Sequence, residues 1–317
     1  MNAPLVAVVT PVYNGAKYLA ETMACVQAQT YSNIVHVLRD NASTDATPDI
    51  IREYANGRHP LAVTRGDVTI PMAPNWNAAI DLVPREAAYF RVLCADDLMS
   101  PTAVEKMVAV AERDPKIGVV GCAIERDGAI EDPQWPKDTE IFEGHVAIER
   151  CFNGQGAILA PHMIWRRELL EERHPFFDND IIENDTEVAL WVLLKWKLGF
   201  VHEPLGFTRV HPDRFTATQY GQTHDNFASW LQIMTRIGPQ AIPPSRFNPL
   251  LQRYRMYHLR KMLQWRLAEG NTAAFSAHAQ IMRDLGYSVG AGDFAASMGD
   301  WMLKRLGVHP GWSGHPY

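Results

Sequence analysis

The chain has 317 residues, enough for one sizeable α/β core and a smaller appendage, and 47% apolar against 21% charged residues excludes extended disorder. With 36 Asp plus Glu against 30 Lys plus Arg and a formal charge of -6, it has no long basic block to track a phosphate backbone, so no nucleic-acid partner is expected. Cys25, Cys94, Cys122 and Cys151 form no C-x-x-C pair, which argues against a zinc cluster or a disulfide framework and for a reducing cytoplasm.

Residues 6–9 read as a buried strand, and 17–28 as a helix after the turn-forming Asn14-Gly15. Residues 35–38 form a second strand. A helix over 48–54 follows, with Thr47 as its cap and Pro48 at its first position. A third strand is expected at 61–64, a short helix at 75–82 and a strand at 89–93. Ser100-Pro101 opens a helix reaching about residue 111, and 117–122 closes the repeating unit. This alternation predicts a Rossmann-like, mostly parallel sheet flanked by helices. In such a sheet the loops after residues 9, 38 and 93 face a common crevice beyond the carboxyl ends of the strands.

From 125 to 153, Pro133, Pro136 and scattered charge predict an irregular loop or short antiparallel strands. A core helix is expected over 185–196. Pro239, Pro243, Pro244 and Pro249 mark a junction, dividing the chain into residues 1–240 and a small helical C-terminal region, 241–317. No window is long and apolar enough to span a bilayer, and the first residues lack a signal-peptide pattern. The basic and aromatic run 251–266 reads as a packed or partner-facing helix, leaving open peripheral contact with the inner face of a membrane or a homo-oligomer.

The run from Thr10 through Pro11, Tyr13, Asn14 and Gly15 to Leu19, then Gln29-Thr30-Tyr31 and the run from Asp40 to Asp45, followed by Asp96-Asp97, resembles the opening of family 2 glycosyltransferases. The resemblance continues through Asn184-Asp185-Thr186-Glu187 and Arg209-Val210-His211-Pro212, and leaves the tail unmatched. It implies an inverting enzyme of the GT-A fold. Such an enzyme takes a nucleoside diphosphate sugar and a divalent cation, Mg2+ or Mn2+, and passes the sugar to a hydroxyl of a carbohydrate or glycolipid, in polysaccharide or glycoconjugate synthesis.

By the same resemblance Pro11, Tyr13 and Asn14 line the nucleotide pocket, with the Tyr13 ring against base or ribose. The bland alternative is a turn with a partly buried tyrosine. Asp40 accepts a hydrogen bond from base or ribose. Asn41 replaces a frequent second aspartate, which leaves the donor open among UDP, dTDP and GDP sugars, uracil being the first choice. Asp45 reads equally as a helix-start residue satisfying backbone donors. Asn75, Trp76 and Asn77 match a segment near the sugar nucleotide, or serve as a cap and an anchor.

Asp97 is the implied direct metal ligand and Asp96 a ribose or adjacent ligand, with Cys94 where a carboxylate is frequent. Asp185 is the implied general base, with Glu187 in support, although a helix cap explains it too and Asp178, Asp180 and Glu183 crowd the same stretch. His211 ligates metal or contacts diphosphate, and Arg209 and Arg214 offer contacts to anions. Residues 152–156 and 162–165 fall on the acceptor side, where Trp165 either stacks on a sugar or packs in the core.

Two other functions fit parts of the pattern. A nucleotidyltransferase would carry a basic, glycine-rich phosphate loop near the first strand, whereas residues 10–16 supply one glycine and no arginine. A noncatalytic nucleotide-sugar-binding module would have no use for Asp96, Asp97 and Asp185 together.

Overall fold

The computed structural model describes residues 3–131, 133–158, 161–212 and 223–308, so Arg214 lies outside the described residues. The first half is built as the hydrophobic pattern requires. Strand β1 (Val6–Val12) is buried along its whole length and is followed by helix α1 (Leu19–Gln27). Strand β2 (Ile34–Asp40), helix α2 (Thr47–Glu53), strand β3 (Leu61–Arg65), helix α3 (Met72–Ile80) and strand β4 (Tyr89–Val92) come next. β1 pairs in parallel with both β2 and β4, and β2 with β3. A run without polar alternation, such as Val6-Ala7-Val8-Val9, suits a strand covered on both faces. Thr47 is the first helical residue rather than the cap, which is Ala46; Asp45, just outside the helix, accepts the Thr47 N–H on Oδ1 at 3.0 Å.

The second half is more mixed. It contains β5 (Leu98–Met99), α4 (Ala103–Ala111), β6 (Ile117–Arg126), β7 (Ala129–Glu131), β8 (Ile141–Phe142), α5 (Gly144–Phe152), β9 (Ile164–Arg166), α6 (Leu169–Glu172), α7 (Asn184–Val192) and β10 (Lys197–Thr208). The strands among the described residues join one 10-stranded sheet of order β3-β2-β1-β4-β9-β6-β10-β5, with β7 on β6 and β8 on β10. β9 is antiparallel to both β4 and β6, so the sheet is mixed, with its parallel character concentrated in β1 to β4 and in β6 against β10. Leu93, Met99, Val104, Met107, Val120 and Leu205 meet in one buried cluster.

Helices α8 (Asp225–Ala241), α9 (Pro244–Leu267), α10 (Thr272–Asp284) and α11 (Ala291–Arg305) follow. Pro239 sits inside α8 and Pro249 inside α9, so the break among these prolines is confined to residues 242–243. The chain forms two compact units. The sheet unit comprises Met1–Gly144, Ala157–Asp180 and Asn184–Val210; the helical unit comprises His145–Gly156, Ile181–Glu183 and His211–Tyr317. Within the helical unit, Tyr254, Leu259, Met262 and Trp265 of α9 are buried, so the aromatic side of the run 251–266 is packed. His258 Nε2 lies 2.8 Å from His278 Nδ1 between α9 and α10, and His224 stacks on Trp265 at 4.3 Å.

Candidate active site

The rim after β1 and β2 is a web of short polar contacts. Asn14 has φ 48° and Ala42 φ 57°, and asparagine tolerates that left-handed backbone far better than alanine, so the loop at Ala42 is strained by about 1 kcal/mol or more. What holds it is the surrounding hydrogen bonding. The Asn14 N–H donates to Ser43 Oγ at 2.9 Å, and Asn14 Oδ1 accepts the Thr44 N–H at 2.8 Å. Gly15 and Ala16 donate to Thr47 Oγ1 and Asp45 Oδ2 at 2.8 and 3.0 Å. Desolvation works against it, yet the bonds from Thr47 and Ala16 leave the Asp45 carboxyl below its ordinary value.

Asp40 is buried at the end of β2, where it accepts the Ser43 N–H at 2.9 Å and pairs with Arg65, whose guanidinium also reaches the Ser43 carbonyl at 2.7 Å. The Asn41 amide donates to the Ile70 carbonyl at 2.8 Å and accepts the Ile70 N–H at 3.0 Å. Asp40 and Asn41 are therefore braces that set the rim. Pro11 is buried in β1, while Tyr13, in the loop that follows, is 50% exposed.

At the end of β4 the thiol of Cys94 and the carboxylates of Asp96 and Asp97 lie within 4.8 Å of one another. The Leu93 N–H reaches the Val9 carbonyl at 2.9 Å, extending the β1–β4 ladder to the edge of the cluster. The Thr22 hydroxyl of α1 lies 2.9 Å from the Ala95 carbonyl and 3.0 Å from the Asp97 carbonyl, fixing the turn. Arg209, just beyond β10, donates its N–H to Asp97 Oδ1 at 3.1 Å and its Nε–H to the Asp96 carbonyl at 3.0 Å, and its guanidinium lies over the Tyr18 ring. Asp97 is 5% exposed and its Oδ2 is 3.6 Å from His162 Nε2. Two carboxylates fit a hard cation such as Mg2+ or Mn2+, and the softer Cys94 thiol is the atypical member of the set.

Asp185 is the second residue of α7. Its Oδ1 accepts the Thr186 N–H at 2.7 Å, and desolvation raises its carboxyl above the usual value despite that bond. Glu187, by contrast, is buried against Arg173 at 2.7 Å, and Arg173 lies over the Trp191 ring; this ion pair is a structural use of the residue. Asp178 accepts the Asp180 N–H at 2.9 Å in a local turn. The Asn77 amide clamps Phe177, accepting its N–H at 2.8 Å and donating to its carbonyl at 2.9 Å, while Trp76 meets the Phe177 ring edge-on. Trp165 is 2% exposed among Phe90 and Phe176, so it is a core residue and is closed to a sugar.

The structure thus brings Asp96 and Asp97 together with Cys94, and gathers Pro11, Asn14, Asp40 and Asn41 into one rim. Glu183 belongs to the helical unit, and His211 is the first residue of that unit's last segment. Arg65, Ser43, Thr208 and the backbone of Arg209 also shape the site. Their parts depend on strand pairing, which no local pattern displays.

The family model for glycosyl transferase family 2 matches residues 7–173. An uncharacterised glycosyltransferase of Rickettsia prowazekii is 31% identical over 249 residues, covering 74% of this chain and 73% of its own. Glycosyltransferase GlyG of Streptococcus pneumoniae is 25% identical over 229 residues, covering 68% of this chain and 74% of its own. Among solved structures, S. aureus TarS in complex with UDP-GlcNAc gives a TM-score of 0.67 at 16% identity, over 87% of this chain and 81% of that one. The mannosyltransferase PcManGT of Pyrobaculum calidifontis, in complex with GDP-Man and Mn2+, gives 0.59 at 19% identity, over 96% and 81%. The structural likenesses concern the fold. With the family model spanning more than half of the 317 residues and a relative at 31% identity spanning most of them, the chain belongs to glycosyl transferase family 2 and is an inverting transferase of sugar from a nucleoside diphosphate to an acceptor.

Proposed function

We propose that the donor lies along the rim after β1, β2 and β4 with its diphosphate beside Asp96 and Asp97, and that Asp185 takes the proton of the acceptor hydroxyl in a single displacement. The observation that carries this reading is the close grouping of Cys94, Asp96 and Asp97 at the carboxyl end of β4, a central strand of the sheet. Two carboxylates so close repel one another, and a bound cation would relieve that repulsion. Asp97 would hold that cation directly, and Asp96 would take the ribose or an adjacent position. When bound, Mg2+ or Mn2+ neutralises the charge that develops on the departing diphosphate.

The chain's own residues do the rest. Tyr13 presents an amphipathic ring to base or ribose, and Asp40, Asn41, Asn14 and Pro11 act on the nucleotide through the loops they brace, so the donor meets a preformed surface. Asp185, with its carboxyl raised by desolvation, binds a proton more readily than an exposed aspartate. Attack by the acceptor oxygen on the anomeric carbon, opposite the departing diphosphate, inverts the configuration. The acceptor is a carbohydrate or a glycolipid.

No helix among the described residues is long and apolar enough to cross a membrane. A cytoplasmic enzyme, with peripheral contact at the inner face of the membrane or self-association, fits this reading. Titration calorimetry with UDP-, dTDP- and GDP-linked sugars, with and without Mn2+, tests the donor assignment. At least one donor should bind, more tightly with metal; folded protein that binds none of them in the presence of metal would overturn it.

A further inference from the structure

The tail of β10 does more than complete the sheet. Thr208, its last residue, places Oγ1 2.7 Å from His162 Nε2, and that same nitrogen is 3.6 Å from Asp97 Oδ2. The next residue, Arg209, donates its N–H to the other oxygen of Asp97 at 3.1 Å. One carboxylate is thus faced on both oxygens from a single strand end, directly on one side and through an imidazole on the other. His162, Thr208 and Asp97 are 2%, 8% and 5% exposed, so water does little to screen these contacts.

At 3.6 Å the His162–Asp97 approach is electrostatic rather than a hydrogen bond, so its value depends on where the ring is held. Two features hold it. Gly206 lies two residues before Thr208, on the same face of the strand, and a Cβ there would fall 2.4 Å from His162 Nδ1 and 2.5 Å from its Cγ. The imidazole therefore occupies the space that any side chain at position 206 would need. Thr208 then fixes the rotation of the ring from its far edge, while the His162 carbonyl is anchored by the Cys122 thiol at 3.5 Å. A neighbouring carboxylate favours the tautomer with its proton on Nε2, which turns an N–H toward the Asp97 and Thr208 side.

We propose that His162 is a positioning residue for the cation: seated on Gly206 and tethered by Thr208, it fixes the orientation of the Asp97 carboxylate before cation and donor arrive. This rests on the assignment of Asp97 as a metal ligand. His162 acts behind that ligand, in the way that outer partners of metal-binding side chains commonly contribute about 10- to 100-fold in affinity.

The test is Mn2+ binding to the metal-free, donor-free enzyme, followed by electron paramagnetic resonance of the unbound ion, with the Mn2+ dependence of turnover measured alongside. Asp97→Asn serves as the reference. His162→Ala should weaken Mn2+ binding by about 10- to 100-fold, with kcat at saturating Mn2+ changing less than the Mn2+ requirement. His162→Gln, which returns an amide N–H near the place of Nε2, should recover part of the loss. Thr208→Val and Gly206→Ala, which release or displace the ring, should weaken binding in the same direction. Wild-type Mn2+ affinity in His162→Ala and Thr208→Val, with binding lost in Asp97→Asn, would reduce His162 to a packing residue. Wild-type affinity in Asp97→Asn would remove the metal assignment itself. Should His162→Ala fail to fold, folded Thr208→Val decides, and unchanged affinity there overturns the proposal.

Discussion

Asp97 and Asp185 carry the same side chain and end up in opposite surroundings. Asp97, at the end of β4, meets the Arg209 N–H on one oxygen and His162 on the other, and stands beside a second carboxylate and a thiol. Asp185, at the start of α7, takes the Thr186 N–H and is otherwise governed by desolvation, which raises its carboxyl. A carboxylate faced by donors and grouped with another is arranged to hold a positive ion. One withdrawn from water is arranged to take a proton. On the proposed reading the environment, rather than the residue type, divides the labour, as it does wherever two carboxyl groups of one enzyme serve different ends.

Replacing each in turn is the sharpest way to break that contrast. Asp97→Asn should cause the larger loss, about 10³-fold or more in kcat/KM, because stabilisation of the leaving group by a cation is worth several kcal/mol, and Mn2+ binding should fall with it. Steady-state kinetics across a Mn2+ series would check this; activity that survives in chelated protein would dissolve the distinction. Asp185→Asn should lower kcat by about 10² to 10⁴-fold while leaving Mn2+ and donor binding close to wild type. Product stereochemistry, read by NMR of the anomeric proton, should show inversion.

Stability gives a third, smaller reading with a definite sign. The folded Asp185 carboxyl is raised above its unfolded value, so its ionisation disfavours the fold at pH values above the raised pKa, and this cost disappears as pH falls below the unfolded value near 3.8. Asp185→Asn keeps an oxygen for the Thr186 N–H, so the variant should melt above the wild type at neutral pH and lose that advantage in acid. Thermal melts across pH would show it, and a variant that melts lower at neutral pH would contradict it. Catalysis and stability would then move in opposite directions at one residue.

The helical unit offers a fourth, subtler comparison, because its buried titratable pair is basic rather than acidic. Burial is the first cause that lowers the pKa of both His258 and His278; the charge of His278 adds to it at His258, while at His278 the bond to the Thr223 carbonyl and the charge of Asp225 oppose it only in part. The unfolded chain binds protons first as pH falls through 6.5, so this unit should lose stability below that point and retain it above. Protection factors in α9 and α10, corrected for the intrinsic pH dependence of amide exchange, should fall between pH 7.5 and 5.5 more than those in α4, which carries no histidine. An equal fall in both regions would show that the histidine pair is not responsible.

Legibility in the sequence followed the range of the interactions. The units from β1 to α4 were readable because continuous apolar runs, Asn14-Gly15 and Pro48 are local signals, and Asp96-Asp97 stood out because it follows such a run. β10 was not readable: Gly199, His202, Glu203 and Pro204 interrupt its apolar pattern, and its ladder with β6 shifts register at Pro204. β9 is three residues long and owes its place to two partners. Pro239 and Pro249 argued for a break, but buried neighbours such as Ile237, Phe247 and Leu250 keep the helices intact around them. The helix begins at Thr47, one position earlier than Thr47 as cap would place it, and Asp45 satisfies the backbone donors of Thr47 and Ala16, the helix-start role its position suggested. In the site, the residues after β1 and β2 were visible, whereas the support given by Arg65, Thr208 and Arg209 exists only once distant strands are paired.

The place of β9 in the sheet also sets an order of assembly. Strands β3, β2, β1 and β4 are neighbours and all lie within residues 6–92, so this half can pair as soon as they have been synthesised. β4 and β6 are separated by β9, which arrives only at residue 164, and β10 arrives later still. The end of β10 that braces Asp97 is therefore the last part of the sheet to be made, and the acidic cluster must wait through more than a hundred residues of synthesis for the Arg209 N–H. Hydrogen exchange on ribosome-held chains of increasing length should find β1 and β2 protected before β6 and β10, with the capacity to bind Mn2+ appearing only once β10 has emerged.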